Sequence, residues 1–182
     1  MEDCKTFDRL RDLLRFDRSV RRFDASRTID RDTLVSLVEL TRYCASSQNM
    51  QPLRYIIVDE KTGKDRLFPL LRWARHLKDW PGPAQSERPS AYLVQLTDTR
   101  IAPSLLCDCG LQLQAITLGA AALGLEDFYK VEYVLALGYS AETVRLEDLA
   151  PGADYSYYRL PDSTHVVPKR PLGELIVAPG KN

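Results

Sequence analysis

The sequence predicts an α+β or α/β sandwich built around a mixed β-sheet. Segments with helical periodicity alternate with short apolar segments in the order helix, helix, strand, helix, strand, helix, strand. Of the 182 residues, 45% are hydrophobic and 27% are charged, which is typical of a globular protein able to bury a core. No repeat or linker divides the chain, so we expect residues 1–182 to form one domain.

The N-terminal part predicts two helices followed by a strand. Residues 2–16 carry an apolar stripe at helical spacing, and Asp30 can cap a second helix that ends near Cys44. Residues 54–60 have a continuous apolar centre, which predicts a strand buried on both faces. Residues 61–77 are interrupted by a glycine and a proline, and we expect their second half to be helical.

The C-terminal part predicts two more strands around a long helix. Residues 78–90 hold several prolines and predict a loop, and residues 91–98 predict a buried strand. Residues 103–125 form the longest helical segment and are apolar on nearly all sides, so the sheet, other helices or a second subunit must cover them. Residues 131–139 predict a third strand, and the tail is irregular before a final strand or short helix.

Composition excludes several classes of function. The formal net charge is zero, which predicts no nucleic-acid or membrane-surface partner. The chain opens with a charged segment and contains no apolar run of about 20 residues, so we expect a cytoplasmic protein without a membrane span. The four cysteines form no C-x-x-C pair and the two histidines are far apart, so no metal site is expected.

The sequence also lacks the common motifs for dinucleotide binding, nucleoside triphosphate binding and serine hydrolysis. We find no G-x-G-x-x-G fingerprint, no P-loop and no G-x-S-x-G elbow. The carboxylates are scattered, and none suggests an acid–base pair. No catalytic side chain is predicted, and a bound cofactor that carries the reaction fits better.

Three groups of polar residues remain as candidate binding sites. The first, the arginine cluster, is Arg18, Ser19, Arg21 and Arg22. Guanidinium groups match phosphate oxygens two at a time, and a serine hydroxyl adds a donor. The alternative is a solvated basic turn at the end of the first helix.

The second group, the polar turn, is residues 46–51, with Ser46, Ser47, Asn49 and Gln51 as its candidate ligands. Amide side chains offer both a donor and an acceptor, which suits the edge of a flat heteroaromatic ring. The alternative is a helix end and turn in which Asn49 is left-handed. The third group is Lys169 and Arg170, which could meet an anion or could lie in a surface tail.

Five segments in this order resemble the nitroreductase family of flavin-dependent oxidoreductases over nearly the whole chain. They are RSVRRF, SSQNMQPLRYIIV, DCGLQLQAITLGAAALGL, LALGYSAE and the late KR pair. The resemblance implies a three-layer α/β/α sandwich around a mixed, mainly antiparallel sheet, in an obligate homodimer that binds FMN between its subunits.

The resemblance also implies roles for the polar residues. Arg18, Ser19 and Arg21, together with Lys169 and Arg170, would hold the FMN phosphate. Ser46, Ser47, Asn49 and Gln51 would meet the flavin ring and ribityl chain, in some members those of the partner subunit. NAD(P)H would act as transient reductant, and a nitroaromatic or quinone would accept the hydride in a ping-pong reaction.

Two departures from the family leave other functions open. Asp17 stands where a basic residue is common, and only residues 126–130 separate the long helix from the next strand. Family members carry a further helix and a glycine-containing loop there, so either the loop is missing or, as we favour, residues have been omitted. Alternatives are a flavin-binding sensor or carrier without efficient turnover, and a basic binding module that never meets flavin.

Overall fold

The computed structural model describes residues 2–74, 76–102, 106–129, 134–150 and 152–175. They belong to two compact units, one drawn from Met1–Trp73 and Gly82–Ala141 and the other from Ala74–Pro81 and Glu142–Asn182. Helices and mainly antiparallel strands confirm the α+β class. The three-layer arrangement and the single domain stay predictions.

Within its described residues, the first unit contains four helices and four strands. In chain order they are α1 (Glu2–Phe16), α2 (Arg31–Glu39, continued by a 3₁₀ turn over Leu40–Tyr43), β1 (Leu53–Val58), α3 (Lys61–Leu67), β2 (Ala91–Thr97), α4 (Leu106–Ala122), β3 (Glu126–Tyr129) and β4 (Val134–Gly138). The predicted cap of α2 is confirmed, because the Asp30 side chain accepts a hydrogen bond from the Thr33 amide at 2.8 Å.

The four strands form one antiparallel sheet in the order β1-β2-β4-β3. β4 lies inside the sheet and is buried along its whole length. β1 is an edge strand, and its Ile56 side chain is 50% exposed. The prediction that β1 is buried on both faces is therefore wrong, because an apolar run cannot distinguish an edge strand from a central one.

The core of this unit lies between the sheet and helices α2 and α4. Leu34 and Leu37 of α2 and Ile116 of α4 are at most 1% exposed, and they belong to the same buried cluster as Leu93 and Leu135 of the sheet. Burial of this apolar surface is the main force that fixes α4 on the sheet. Side chains of α4 also form hydrogen bonds with the polar turn and with Asp17, next to the arginine cluster.

Residues 61–77 fold in the opposite order to the prediction. The first half forms α3, and the chain becomes irregular after the 3₁₀ turn Phe68–Leu70. Gly63 serves close packing rather than a break, since a Cβ there would lie 2.8 Å from Val58 Cγ1. Pro69 ends the helix because it cannot continue the backbone hydrogen bonding.

The segment predicted as a short link after α4 is instead a strand. The helix ends at Ala122, and Gly124 just after it has a φ of +69°, the left-handed conformation common at helix C-termini. Glu126–Tyr129 then forms β3 and pairs antiparallel with β4, with Asp127 opposite Leu137. Residues 103–105 of the predicted helix and 131–133 of the predicted strand lie outside the described residues.

The second unit is a small mixed sheet with the order β5-β7-β6. Its elements are β5 (Val144–Asp148), β6 (Tyr158–Arg159), β7 (His165–Lys169) and α5 (Leu172–Leu175). An ion pair of 2.7 Å joins Arg159 to Glu142, whose side chain is 1% exposed. The tail, predicted as irregular before a final strand or short helix, contains β6, β7 and α5 among its described residues. The mixed pairing lies in this unit rather than in the main sheet.

Candidate functional site

The arginine cluster directly follows α1. Arg18 Nη2 donates to the Leu14 carbonyl at 2.6 Å and so caps the C-terminal end of that helix. Arg21 is 5% exposed, and its Nη1 lies 3.3 Å from the Ser19 carbonyl oxygen. Arg22 forms a 3.5 Å ion pair with Glu87. Arg18 and Arg21 thus contact backbone carbonyls of their own segment, whereas Arg22 pairs with a residue distant in sequence.

The backbone of this segment is fixed against the end of β4. The Ala141 amide donates to the Arg22 carbonyl at 2.9 Å, and the Asp24 amide donates to the Tyr139 carbonyl at 2.7 Å. Between them Phe23 is fully buried and packs against Gly138, where a Cβ would lie 2.6 Å from the ring. The cluster therefore rests on rigid elements rather than on a mobile loop.

The arginine cluster keeps donors that the described part of the chain does not use. The Nε of Arg18 is enclosed and donates no hydrogen bond within the described residues. Arg18 also makes no ion pair with any carboxylate in the described ranges. Enclosed donors without partners are rare in native proteins, and guanidinium nitrogens next to a hydroxyl suit a phosphate. The donor set thus fits an anionic group such as the phosphate of FMN.

The polar turn is tied to α4 by one buried carboxylate. Asp108, in the first turn of α4, is 2% exposed. Its Oδ2 accepts the Ser46 hydroxyl at 2.5 Å, and its Oδ1 accepts the Ser47 amide at 3.2 Å. The Ser46 Oγ in turn accepts the Gln51 amide at 2.9 Å, so both ends of the turn depend on the same carboxylate.

The backbone of the polar turn is unusual. Gln48, Asn49 and Gln51 have φ values of 50°, 56° and 48°, so Asn49 is left-handed, as the alternative interpretation of a helix end and turn expects. A non-glycine residue in this region costs about 1–3 kcal/mol, and such residues concentrate at functional sites. The Gln51 amide group donates to Asn49 Oδ1 at 2.9 Å. The strained turn holds the side chains of Ser47, Asn49 and Gln51 at the surface, while Ser46 is half-buried.

Helix α4 also anchors the arginine cluster, through Asp17. Asp17 Oδ2 accepts the Thr117 hydroxyl at 2.7 Å and the Gln114 side-chain amide at 2.9 Å. Asp17, at a position where the family resemblance implies a basic residue, is therefore an anchor for the segment that carries Arg18. Asp108 and Thr117 are nine positions apart on α4, which is about two and a half turns and roughly 14 Å along the axis. The two anchors thus lie on opposite sides of the helix.

Lys169 and Arg170 belong to the second unit, at the end of β7. Both are exposed, and the Arg170 guanidinium lies 5.9 Å from the centre of the Tyr155 ring. The Lys169 carbonyl accepts the Leu149 amide at 2.8 Å. Their participation in the same site as the arginine cluster stays a prediction.

The sequence analysis missed Asp108 as a residue of this site. Its signal was a single acidic residue within an otherwise apolar helix start, LLCDCG, where a solvated charge is not expected. A buried carboxylate needs partners, and a polar turn that precedes a buried strand can supply them. Asp17 had no such signal, because acidic residues are common beside basic clusters.

Metal-binding groups and membrane-spanning helices are both absent from the described residues. Among the described residues, no group of three or more histidine, cysteine, aspartate or glutamate side chains could hold a metal ion. Within the same ranges, no helix combines the length and apolar character needed to cross a membrane. Cys44, Cys107 and Cys109 carry free thiols.

The described residues thus combine an α+β fold with an arginine cluster and a strained polar turn whose anchors lie on one shared helix, α4. The model of the nitroreductase family matches residues 14–130, and the chain belongs to that family. No curated protein matches the chain.

Several solved structures share the fold. An FMN complex from Exiguobacterium sibiricum is 18% identical, with a TM-score of 0.61 and coverage of 93% of this chain and 97% of its own. A nitroreductase with bound FMN from Bacteroides fragilis is 16% identical, with a TM-score of 0.59. The match covers 80% of this chain and 96% of that protein. A protein named as an NADH dehydrogenase/NAD(P)H nitroreductase from Bacteroides thetaiotaomicron is 16% identical, with a TM-score of 0.59. The match covers 72% of this chain and 86% of that protein.

Proposed function

We propose that this protein is an FMN-dependent NAD(P)H oxidoreductase that reduces small electron-poor acceptors such as nitroaromatics or quinones. The observation that carries the proposal is the enclosed Nε of Arg18, which has no hydrogen-bond partner among the described residues, in a member of the nitroreductase family. The FMN named for two structural neighbours and the NAD(P)H named for a third support the choice of cofactor and reductant.

In this proposal the arginine cluster holds the phosphate of FMN. Arg18, Ser19 and Arg21 supply donors next to the end of α1, and Lys169 and Arg170 add positive charge from the C-terminal part of the chain. Charge-assisted hydrogen bonds to a phosphate are about twice as strong as neutral ones. The Nε of Arg18 gains its missing partner when the phosphate binds.

The polar turn contacts the flavin ring and ribityl chain. The exposed side chains of Ser47, Asn49 and Gln51 offer donors and acceptors to the edge of the ring. Ser46 already donates to Asp108 and accepts from Gln51, so a single acceptor lone pair is left for the cofactor. When bound, FMN supplies hydride transfer from NAD(P)H to the acceptor in two half-reactions. The chain contributes binding and orientation, and no side chain is assigned as an acid or base.

A second copy of the chain completes this site. The anchors of the arginine cluster and the polar turn lie on opposite sides of α4, which favours a flavin held by the arginine cluster of one subunit and the polar turn of its partner. Exposed apolar side chains also need a cover: Phe7, Leu10 and Leu14 on α1 and Leu111 on α4 are 64%, 44%, 41% and 51% exposed. A homodimer formed through α1 and α4 satisfies both requirements.

The first experiment is a visible absorbance spectrum of the purified protein after FMN is added and excess FMN removed. Retained flavin bands, followed by oxidation of NADH or NADPH with menadione as acceptor, would support the proposal. Protein that stays colourless would contradict it and favour the basic binding module.

The direct passage from α4 into β3 favours a second candidate, a flavin-binding sensor or carrier. The family resemblance implies a glycine-containing loop at this point, and here Glu126–Tyr129 is already a strand. Full flavin occupancy without steady-state NAD(P)H oxidation would support this candidate over the reductase. An intact mass near 20.7 kDa would in addition exclude omission of the loop from the sequence.

A further inference from the structure

We propose that Asp108 is a positioning residue that holds the polar turn in its flavin-binding conformation. The inference rests on the proposed function and goes beyond it, because Asp108 is buried and acts through Ser46 and Ser47 rather than by touching the cofactor.

The contacts show how one carboxylate controls the whole turn. Asp108 accepts the Ser46 hydroxyl at 2.5 Å and the Ser47 amide at 3.2 Å. Ser46 Oγ then accepts the Gln51 amide at 2.9 Å, which links the end of the turn to its start. The Ser46 hydroxyl can donate only one hydrogen, so its orientation toward Asp108 is what leaves a lone pair for Gln51.

Strain in the turn makes this anchor necessary. Gln48, Asn49 and Gln51 are all left-handed, and free chains of these residue types prefer other conformations. Such strain persists only where surrounding contacts over-determine the backbone. Hydrogen bonds to a buried charge are the strongest contacts that the turn makes, so their loss releases the strained conformation.

Positioning through the turn predicts a specific binding pattern. The turn meets the ring and the ribityl chain, whereas the arginine cluster attaches to the opposite side of α4. Loss of Asp108 should therefore weaken binding of FMN and of riboflavin, which lacks the phosphate, by the same factor. A residue that only stabilises the fold would lower the melting temperature without this effect on a folded sample.

The test measures dissociation constants of FMN and riboflavin for Asp108→Asn, Ser46→Ala and the double variant. We expect about tenfold weaker binding of both flavins for either single change, which is the loss of one charge-assisted hydrogen bond. The double variant should be no weaker than Asp108→Asn alone, because both changes break the same contact. Asp65→Asn, which removes an exposed carboxylate paired with Lys61, is the matched control and should bind like the wild type.

Unchanged flavin affinity in folded Asp108→Asn protein would overturn the inference, and so would weaker binding of FMN alone. If Asp108→Asn does not fold, hydrogen exchange of the Ser47 amide in flavin-free Ser46→Ala protein decides the question, because this change removes a bond to the carboxylate while any contact between Ser46 and flavin plays no part. An unchanged exchange rate would overturn the inference. Wild-type protein that binds neither flavin would overturn the proposed function itself, together with any flavin role of Asp108.

Hydrogen exchange on the flavin-free protein separates these failures. The Ser47 and Gln51 amides are donors to Asp108 and Ser46, so they should be protected in the wild type. We expect Asp108→Asn to speed their exchange by about tenfold or more while the amides of β2 and β4 stay protected. Equal exchange rates in wild type and variant would show that Asp108 does not hold the turn.

Discussion

Arg18 combines a structural contact with unused binding capacity in one side chain. Its Nη2 caps α1 through the Leu14 carbonyl, while its enclosed Nε donates to nothing in the described chain. A guanidinium can do both because its five donors point in fixed directions. This division explains why the sequence alone could not distinguish a helix-capping turn from a phosphate site, since Arg18 serves as the first and is available for the second.

We expect Arg18→Ala to weaken binding of FMN by about tenfold or more and to leave binding of riboflavin unchanged. The change removes a donor to the phosphate, which riboflavin lacks. Flavin fluorescence titration measures both constants. Arg42→Ala is the control, because Arg42 is exposed and pairs only with Glu39 three residues away. Equal weakening of both flavins would show that Arg18 does not serve the phosphate.

Tyr55 is the centre of a polar network inside the first unit. Its hydroxyl donates to Gln112 Oε1 at 3.0 Å and accepts Gln95 Nε2 at 2.7 Å. Burial raises the pKa of Tyr55 to about 12, against the opposing effect of the Gln95 hydrogen bond. A tyrosine whose pKa is raised by folding stabilises the protein below pH 10, and that contribution is lost as the pH rises toward 12.

We expect Tyr55→Phe to lower the free energy of unfolding by about 1–3 kcal/mol at neutral pH, because Gln95 and Gln112 lose their buried partner. Urea unfolding measures the change. An ultraviolet titration of the folded protein should also lose one tyrosine that ionises near pH 12. Tyr43→Phe, at a side chain that is 76% exposed, should change neither quantity. A stable Tyr55→Phe protein would show that the network contributes little.

At the scale of elements, glycines mark places where two elements approach closely. Gly138, at the end of β4, leaves room for the ring of Phe23, because a Cβ at this position would lie 2.6 Å from that ring. Phe23 directly follows the arginine cluster. A side chain at Gly138 would displace a fully buried ring, and the ring cannot move without the segment that carries Arg21 and Arg22. The packing of a strand end thus decides the position of a binding segment.

We expect Gly138→Ala to lower the free energy of unfolding by about 1–3 kcal/mol and to weaken FMN binding. Thermal or urea unfolding and flavin titration measure the two effects. Gly110→Ala on α4 is the matched control, because a Cβ there meets nothing within 4 Å in the chain. That control should be neutral or stabilise by up to about 1 kcal/mol. Similar losses at both positions would contradict the packing argument.

The sequence predicted the elements whose signals are local and missed those that depend on neighbours. α1, the Asp30 cap of α2 and β2 were recovered because spacing and capping residues act within a few positions. The exposure of β1 was missed because the edge position follows from strand order. The order of helix and coil in residues 61–77 was missed because Gly63 was interpreted as a break when it serves contact with Val58.

The candidate site shows the same limit. The arginine cluster and the polar turn were identified from residue type and order, since unusual polarity before a buried strand is visible in one dimension. Their anchors were not, because Asp17 and Asp108 make contacts across 100 and 62 positions of sequence. Long-range hydrogen bonds carry no local signal, so only the fold reveals them.

For the whole molecule, the apolar surface of α1 and the placement of the two polar groups lead to one arrangement. Phe7, Leu10 and Leu14 lie at helical spacing on one exposed face of α1. A monomer would leave this stripe in water, and under the proposed function each side of its α4 would carry only half of a flavin site. Pairing of two chains buries the stripe and can bring an arginine cluster next to the partner's polar turn.

We therefore expect Leu10→Glu to convert a dimer into a monomer and to reduce FMN retention in the same step, because a charge in the buried stripe is not compensated. Size-exclusion chromatography with light scattering gives the mass, and the ratio of visible to ultraviolet absorbance gives the flavin content. Leu70→Glu is the control, since Leu70 is 71% exposed outside α1 and α4. A Leu10→Glu dimer with full flavin would place the interface elsewhere. A monomer that retains full flavin would mean that one chain supplies the whole site, which the opposite anchoring on α4 argues against.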